Sequence, residues 1–250
     1  SNSNFSYEGL LSMPELSLES GFYDSNQLQI ELESEDDGAS IHFTLDGSPP
    51  PPSDLEYEYP ITINSSTVVR ARSFLDGWIK SNITTKTYLL SEDPPPGLPA
   101  IFITTDPNSF FDDDTGMYMM GPNADTWNFP YFGANFWEDW ERPIHFEILE
   151  VDGTGYDADA GAKIFGGWSR ALPQKSISIF SRSHIGPSVF EYKLFPDSDI
   201  NKYESFVLRN SGNDWESTIL RDGFTTSLTD DLDIDHQRYC LLYTSDAADE

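Results

Sequence analysis

The chain has 250 residues, with 43 acids against 14 Lys and Arg and a formal net charge of −29. A nucleic-acid binder needs cations to neutralise phosphates, and an anionic membrane surface repels acid, so this balance nearly excludes the first and disfavours docking to the second. Aromatics at 14% exclude a solvating acidic tail, and a single Cys excludes a disulfide framework or a cysteine-rich zinc site. Residues 1–13 are polar and read as a frayed lead-in. A start at Ser1-Asn2-Ser3-Asn4, without Met or a signal-peptide core, reads as a mature form or a fragment.

From 14 to 90, short alternating runs recur. The run 28–32 puts Leu28, Ile30 and Leu32 on one face, and 41–45, 67–74 and 84–90 repeat the pattern. Period-two alternation at this length predicts half-buried antiparallel strands. Turns are expected at Asp37-Gly38, Asp46-Gly47 and Asp76-Gly77, and Pro49–Pro52 reads as a loop. The spacing predicts a small all-β sandwich over 14–90. Three prolines and a glycine at 94–97 cannot continue a strand or a helix, so 91–97 is expected to be a stiff linker.

A second domain is expected over 98–239. The apolar run 98–105 predicts a buried strand, and 143–151, 162–165, 176–180 and 205–209 predict further strands. In 215–228, Ile219, Leu220, Phe224 and Leu228 fall at helical spacing. No run of about 18 apolar residues occurs, so no membrane insertion is expected.

Two resemblances emerge. Gly21-Phe22-Tyr23, the run from Gly38 to Asp46-Gly47-Ser48-Pro49, and Val69-Arg70-Ala71-Arg72-Ser73-Phe74 make the first domain resemble the Ig-like module of the chitobiase/β-hexosaminidase C-terminal type. Such modules are mostly spacers in secreted enzymes and surface proteins, with carbohydrate binding sometimes proposed. The second domain resembles the N-terminal part of the CotH (spore-coat protein H) kinase family. Four stretches carry this. They are Phe110-Phe111-Asp112-Asp113-Asp114-Thr115-Gly116-Met117-Tyr118, Trp137-Glu138-Asp139-Trp140-Glu141-Arg142-Pro143-Ile144, Ser169-Arg170-Ala171-Leu172-Pro173-Gln174-Lys175-Ser176, and Ser205-Phe206-Val207-Leu208-Arg209-Asn210-Ser211-Gly212-Asn213-Asp214-Trp215 followed by Arg221-Asp222. The implied architecture is an Ig-like sandwich, then a truncated α+β kinase-like domain.

A phosphoryl-transfer site needs fixed cations to hold phosphates and offset developing charge. On the resemblance, Arg170, Lys175, Arg209 and Arg221 are the ATP- or phosphate-binding candidates, and Asn210, Asp214 and Asp222 the supporting ones. Each also has a structural reading. Arg170 and Lys175 can be a paired surface couple, and the Ser211-Gly212-Asn213 loop a self-capped turn. Adjacent Arg221 and Asp222 do not share a helix face, so each is expected to have its own partner. Asp112-Asp113-Asp114 lacks calcium-loop spacing and reads as a solvated loop. The four His are scattered, and no metal ligand is assigned. The aromatic stretch 127–140 has two readings, a covered core or a platform for sugar rings.

The resemblance implies that the intact parent is a secreted or surface protein that transfers the ATP γ-phosphate to protein Ser or Thr with Mg²⁺. The catalytic and metal carboxylates are expected beyond this chain, so the chain itself is expected to be inactive. The rival class is a non-enzymatic adhesion or carbohydrate-associated protein with a surface ligand or polysaccharide as partner. Residues 240–250 look like a translated sequencing adapter, which would make Cys240 foreign to the native protein.

Overall fold

The computed structural model describes residues 7–53, 55–90, 97–196, 198–214, 216–229, 232 and 238–242. Most of the expected linker at 91–97 lies outside them, as do Trp215 and residues 243–250 of the expected tail. Among the described residues 32% are in strands and 10% in helices, so the regular structure is mainly β-sheet. Among the described residues no helix is long and apolar enough to cross a membrane. Two compact units form. One gathers the described residues up to Asp106 with Leu149–Thr154, and the other gathers those of Pro107–Ile148 and Gly155–Tyr243.

The first unit is built from β1 (Glu15–Leu16), β2 (Gly21–Tyr23), β3 (Leu28–Ile30), β4 (Leu32–Glu33), β5 (Ser40–Thr44), β6 (Ile61–Ile63), β7 (Thr67–Phe74) and β8 (Thr84–Leu90), with β9 (Ala100–Thr104) following. One sheet has the order β2-β8-β7-β5, while β3 pairs with β6 and β1 with β4. Alternation dictates the core. Ile30, Leu32, Ile61 and Ile63 from the two-stranded pairs meet Ile41, Val69, Ala71, Tyr88 and Leu90 from the four-stranded sheet in one buried cluster. Two layers sharing one apolar interior make a sandwich. Tyr88 is fully buried, and its phenol donates to the Leu18 carbonyl at 2.9 Å.

The expected turns take left-handed glycines, with φ of 80° at Gly38, 81° at Gly47 and 83° at Gly77. At the second, Asp46 Oδ1 accepts from the Ser48 hydroxyl and amide. The Ser48 hydroxyl is the main reason that the Asp46 carboxyl titrates below its ordinary value. Buried Arg70 donates to the Gly47 carbonyl at 2.7 Å, tying this turn to β7. The lead-in differs from expectation. Glu8 donates to Gly77, Ile79 donates to Gly9 and Leu11 donates to Ile79, all backbone to backbone, and Leu11 is buried. The backbone of the 77–79 turn offers Glu8–Leu11 a pairing edge that polarity alone does not reveal.

The second unit contains α1 (Pro107–Phe111), β10 (Arg142–Leu149), β11 (Gly155–Phe165), β12 (Ser176–Phe180), β13 (Ser205–Leu208) and α2 (Arg221–Ser227), with 3-10 turns at Asn135–Trp137, Trp168–Ala171 and Gly212–Asp214. Its strands lie in the order β13-β12-β11-β10. The even positions of β11, Ala158, Ala160, Ala162 and Ile164, are buried with Ile144, Phe146 and Ile148 of β10 and Ile177 and Ile179 of β12. Small alanines leave room for large rings, and Phe146 meets Phe190 and Phe206 edge-on at 5.2 and 5.4 Å.

The helix expected over 215–228 is shorter. It runs Arg221–Ser227 and buries no residue, leaving Phe224 64% exposed. Ile219 sits at φ 61°, a left-handed conformation that a β-branched residue adopts only under constraint, and its carbonyl accepts from the Ser211 hydroxyl. Such a residue cannot belong to a right-handed helix, so the helix starts after it.

Candidate functional site

Strand register creates the site. Antiparallel pairing of β11 with β12 sets Phe165 opposite Ser176, and pairing of β12 with β13 sets Ile177 opposite Leu208. The segments 166–175 and 209–220 therefore leave the same end of the sheet. Asn210 fastens one to the other. Its Oδ1 accepts from the Ser176 hydroxyl (2.9 Å) and the Gly212 amide (3.0 Å), and its Nδ2 donates to the Gln174 carbonyl (2.6 Å). Buried in this way, Asn210 is a scaffold for the Ser211-Gly212-Asn213 turn, in which Ser211 and Gly212 both have positive φ.

At this sheet end a cleft of about 440 Å³ opens, lined by Trp168, Ser169, Arg209, the turn 211–214, Arg221 and Asp222. Four sequence-predicted residues thus converge on it: Arg209, Asp214, Arg221 and Asp222. Their charges are paired. Arg209 bonds Asp222 through Nη2, and Arg221 Nη2 lies 3.0 Å from Asp214 Oδ1. Adjacent Arg221 and Asp222 do take separate partners, as their helical positions require. Asp214 is the organiser of this wall. Its Oδ2 accepts from the Thr218 hydroxyl (2.5 Å) and the Arg221 amide (3.0 Å). The Thr218 hydroxyl, ahead of these backbone amides and the Arg221 guanidinium, holds its carboxyl below the usual carboxylate range.

Arg170 and Lys175 do not line the cleft. Arg170 donates to the carbonyls of Gly166 (2.7 Å) and Phe136 (3.3 Å). Lys175 is buried, with Nζ donating to the carbonyls of Arg170 (2.8 Å) and Leu172 (2.9 Å) and lying 4.2 Å from the Phe136 ring centroid. Both cations clamp the 3-10 turn Trp168–Ala171 from behind. The carbonyls at the end of a short helical turn lack intrahelical donors, and the ammonium supplies them.

Burial lowers the Lys175 ammonium from 10.5 to about 8. Between these values the unfolded chain binds a proton at this site that the folded chain does not, so stability contributed here rises with pH from about 8 toward 10.5. Denaturant unfolding across this window is expected to show an increment in the wild type that Lys175→Met lacks. Parallel curves for the two proteins would refute the assignment.

The other candidates resolve locally. Asp112 Oδ1 accepts from the Asp114 amide and from the amide and hydroxyl of Thr115, which makes it the cap of its own turn. The aromatic stretch divides. Phe136 is buried, while Trp127 is 93% exposed and Phe129 and Phe132 project into solvent. Sequence reasoning missed Trp168. The signal available was Gly166-Gly167, a pair that ends β11 and turns the chain directly before an indole.

Two guanidiniums, each paired with a carboxylate, and the Ser169 residue stand around the cleft, while the Ser211 hydroxyl is given to the Ile219 carbonyl. This set does not suit Mg²⁺. Among the described residues no group of three or more His, Cys, Asp or Glu is placed to hold a metal ion, and Asp214 and Asp222 are engaged by arginines.

Residues 18–85 match the family model for the chitobiase/beta-hexosaminidase C-terminal domain. The match spans most of the sandwich, from before β2 into β8. No curated protein matches the chain.

Proposed function

We propose that the chain is part of a secreted or surface protein of the CotH kinase type, and that its second unit supplies the phosphate-binding side of an ATP-dependent phosphotransferase. The observation that carries this reading is the convergence of Arg209 and Arg221 on one cleft with Asp214 and Asp222. ATP, when bound, supplies the γ-phosphoryl group and leaves as ADP. Arg209 and Arg221 would hold its phosphates, exchanging carboxylate partners for phosphate oxygens. The bonds from Asp214 to Thr218 and Arg221 keep the wall in place as this exchange happens. Arg170 and Lys175, on this reading, position the turn that forms the opposite wall. Neither Mg²⁺ ligands nor a catalytic carboxylate are assigned among the described residues, and no transfer step is assigned to them.

The test uses inorganic tripolyphosphate and the full chain. Weak, salt-sensitive binding in the millimolar range is expected, reduced about tenfold by Arg209→Gln or Arg221→Gln because each removes a charge-assisted contact. No binding, or binding untouched by both substitutions, would end the reading.

A second reading has its own support. The match at 18–85 bears the name of a domain from carbohydrate-active enzymes, and Trp127 is 93% exposed. A polysaccharide-associated surface protein would be retained on insoluble polysaccharide, and Trp127→Ala would show whether that ring takes part.

A further inference from the structure

Strands β10 and β11 are neighbours in the sheet of the second unit, and successive residues of each face opposite ways. One face carries Phe146 and the buried alanines of β11. The other carries His145 of β10 with Asp157 and Asp159 of β11. The His145 side chain is only 6% exposed, while that of Asp157 is 55% exposed. His145 Nδ1 lies 2.9 Å from Asp159 Oδ1. A carboxylate only accepts, so Nδ1 carries the ring proton and Nε2 of the neutral ring carries the lone pair. That lone pair is turned toward Asp157. Nε2 is 3.7 Å from Asp157 Oδ2, too far for a hydrogen bond, and it is buried with no hydrogen-bond partner among the described residues. Asp159 is held from behind, because the backbone at Gly186 packs so tightly on its carbonyl that a Cβ there would collide with it.

A buried imidazole lone pair set against a carboxylate oxygen brings two electron donors together, which is costly unless a cation joins them. The donors select the cation. Imidazole nitrogen beside one carboxylate oxygen suits zinc and its first-row neighbours, whereas Mg²⁺ and Ca²⁺ take oxygen ligands. The spacing is close to what such an ion needs. Ligand atoms about 2.1 Å from a tetrahedral zinc stand about 3.4 Å apart, so the exposed Asp157 carboxylate has only a few tenths of an ångström to close. Asp159, on the far side of the ring, is the outer carboxylate that fixes the tautomer of a metal-bound imidazole and raises its basicity. We propose that His145 Nε2 and Asp157 Oδ2 form a binding site for a divalent transition ion of the zinc type, oriented by Asp159 and completed by water on the exposed side. With two protein ligands it binds more weakly than a four-ligand structural zinc centre. The proposal does not depend on the phosphate-binding reading. No sequence spacing announces the site, because the three residues meet only when β10 and β11 fold back across the turn at 150–154.

The experiment titrates the full chain with Zn²⁺ at neutral pH, in excess Mg²⁺ to fill sites made of carboxylates alone, and follows the nitrogen resonances of the four imidazoles by NMR. Zn²⁺ is expected to move the His145 Nε2 resonance first. Asp159→Asn leaves both ligands in place and should weaken this step about tenfold, the usual cost of losing an outer-shell partner. Asp157→Asn should weaken it by at least as much, and His145→Gln should abolish it. His184→Gln, at an exposed histidine outside the cluster, should leave it unchanged. Asp157 is exposed, so its substitution tests the site even if the change at buried His145 prevents folding. His145 resonances that stay fixed while Zn²⁺ is added would overturn the proposal and assign the position between Nε2 and Asp157 to a proton only. Zn²⁺ binding at His145 that Asp157→Asn does not weaken would overturn it as well, because the carboxylate would then not be a ligand.

Discussion

Phe146→Ala is expected to destabilise the second unit by about 3–5 kcal/mol, the usual cost of deleting a buried ring. Phe146 on β10 is fully buried. It makes edge contacts with Phe190 and Phe206, and a tilted contact at 5.9 Å with Tyr156 of β11. Those partners come from three other parts of the unit, so the cavity left by alanine cannot collapse by moving one of them. The flanking Ala158, Ala160 and Ala162 are too small to fill it. Thermal unfolding should show the second unit's transition lowered by roughly 10 °C, and Phe146→Leu should recover much of the loss. A shift of only a degree or two would mean that this ring cluster is not the centre of the unit's core.

Asn210→Asp is expected to be nearly as costly at neutral pH although the shape is unchanged. Oδ1 keeps its bonds from Ser176 and Gly212. The other terminal atom changes from a donor to the Gln174 carbonyl into an acceptor facing it, and a carboxylate is placed in a buried position. A buried charge set against a carbonyl costs about 2–4 kcal/mol. The pH dependence separates this cause from general damage. Burial and the facing carbonyl disfavour the charged form, so the introduced carboxyl has a higher pKa folded than the reference of about 3.9 in the unfolded chain. Once protonated, it can donate to Gln174 as the amide did. The deficit relative to wild type should therefore be full at pH 7 and shrink as pH falls toward 4. A deficit independent of pH would show that the amide is not the fastening between the two loops. Because those loops carry Trp168 and Arg209, loss of ligand binding by Asn210→Asp should follow the same pH profile.

Local chemistry was legible wherever a short stretch decides its own conformation. Alternation at 67–74 and 84–90 became β7 and β8 with the same ends, because apolar residues at every second position can be buried on only one face. Asp-Gly pairs became turns because only glycine adopts positive φ without strain. The separate partners of Arg221 and Asp222 follow from helix geometry, because adjacent residues do not share a helix face.

What depends on residues distant in sequence was not legible. Helical spacing at 215–228 puts Ile219, Leu220, Phe224 and Leu228 on one apolar stripe. The hydroxyl of Ser211 and the carboxylate of Asp214 instead capture the backbone ahead of Arg221, and the stripe is left exposed. Arg170 and Lys175 were identified by charge, which marks a residue as able to bind phosphate but says nothing of which way it points. Arg170 is directed by the carbonyls of Gly166 and Phe136, and Lys175 by carbonyls at the end of the 3-10 turn and by the Phe136 ring, and Phe136 lies far from both in sequence. Trp168 carried no motif at all. Its importance arises only when β12 and β13 pair in register and bring the end of one loop beside the start of another, because a cleft is a property of the surfaces that face it and not of any one segment.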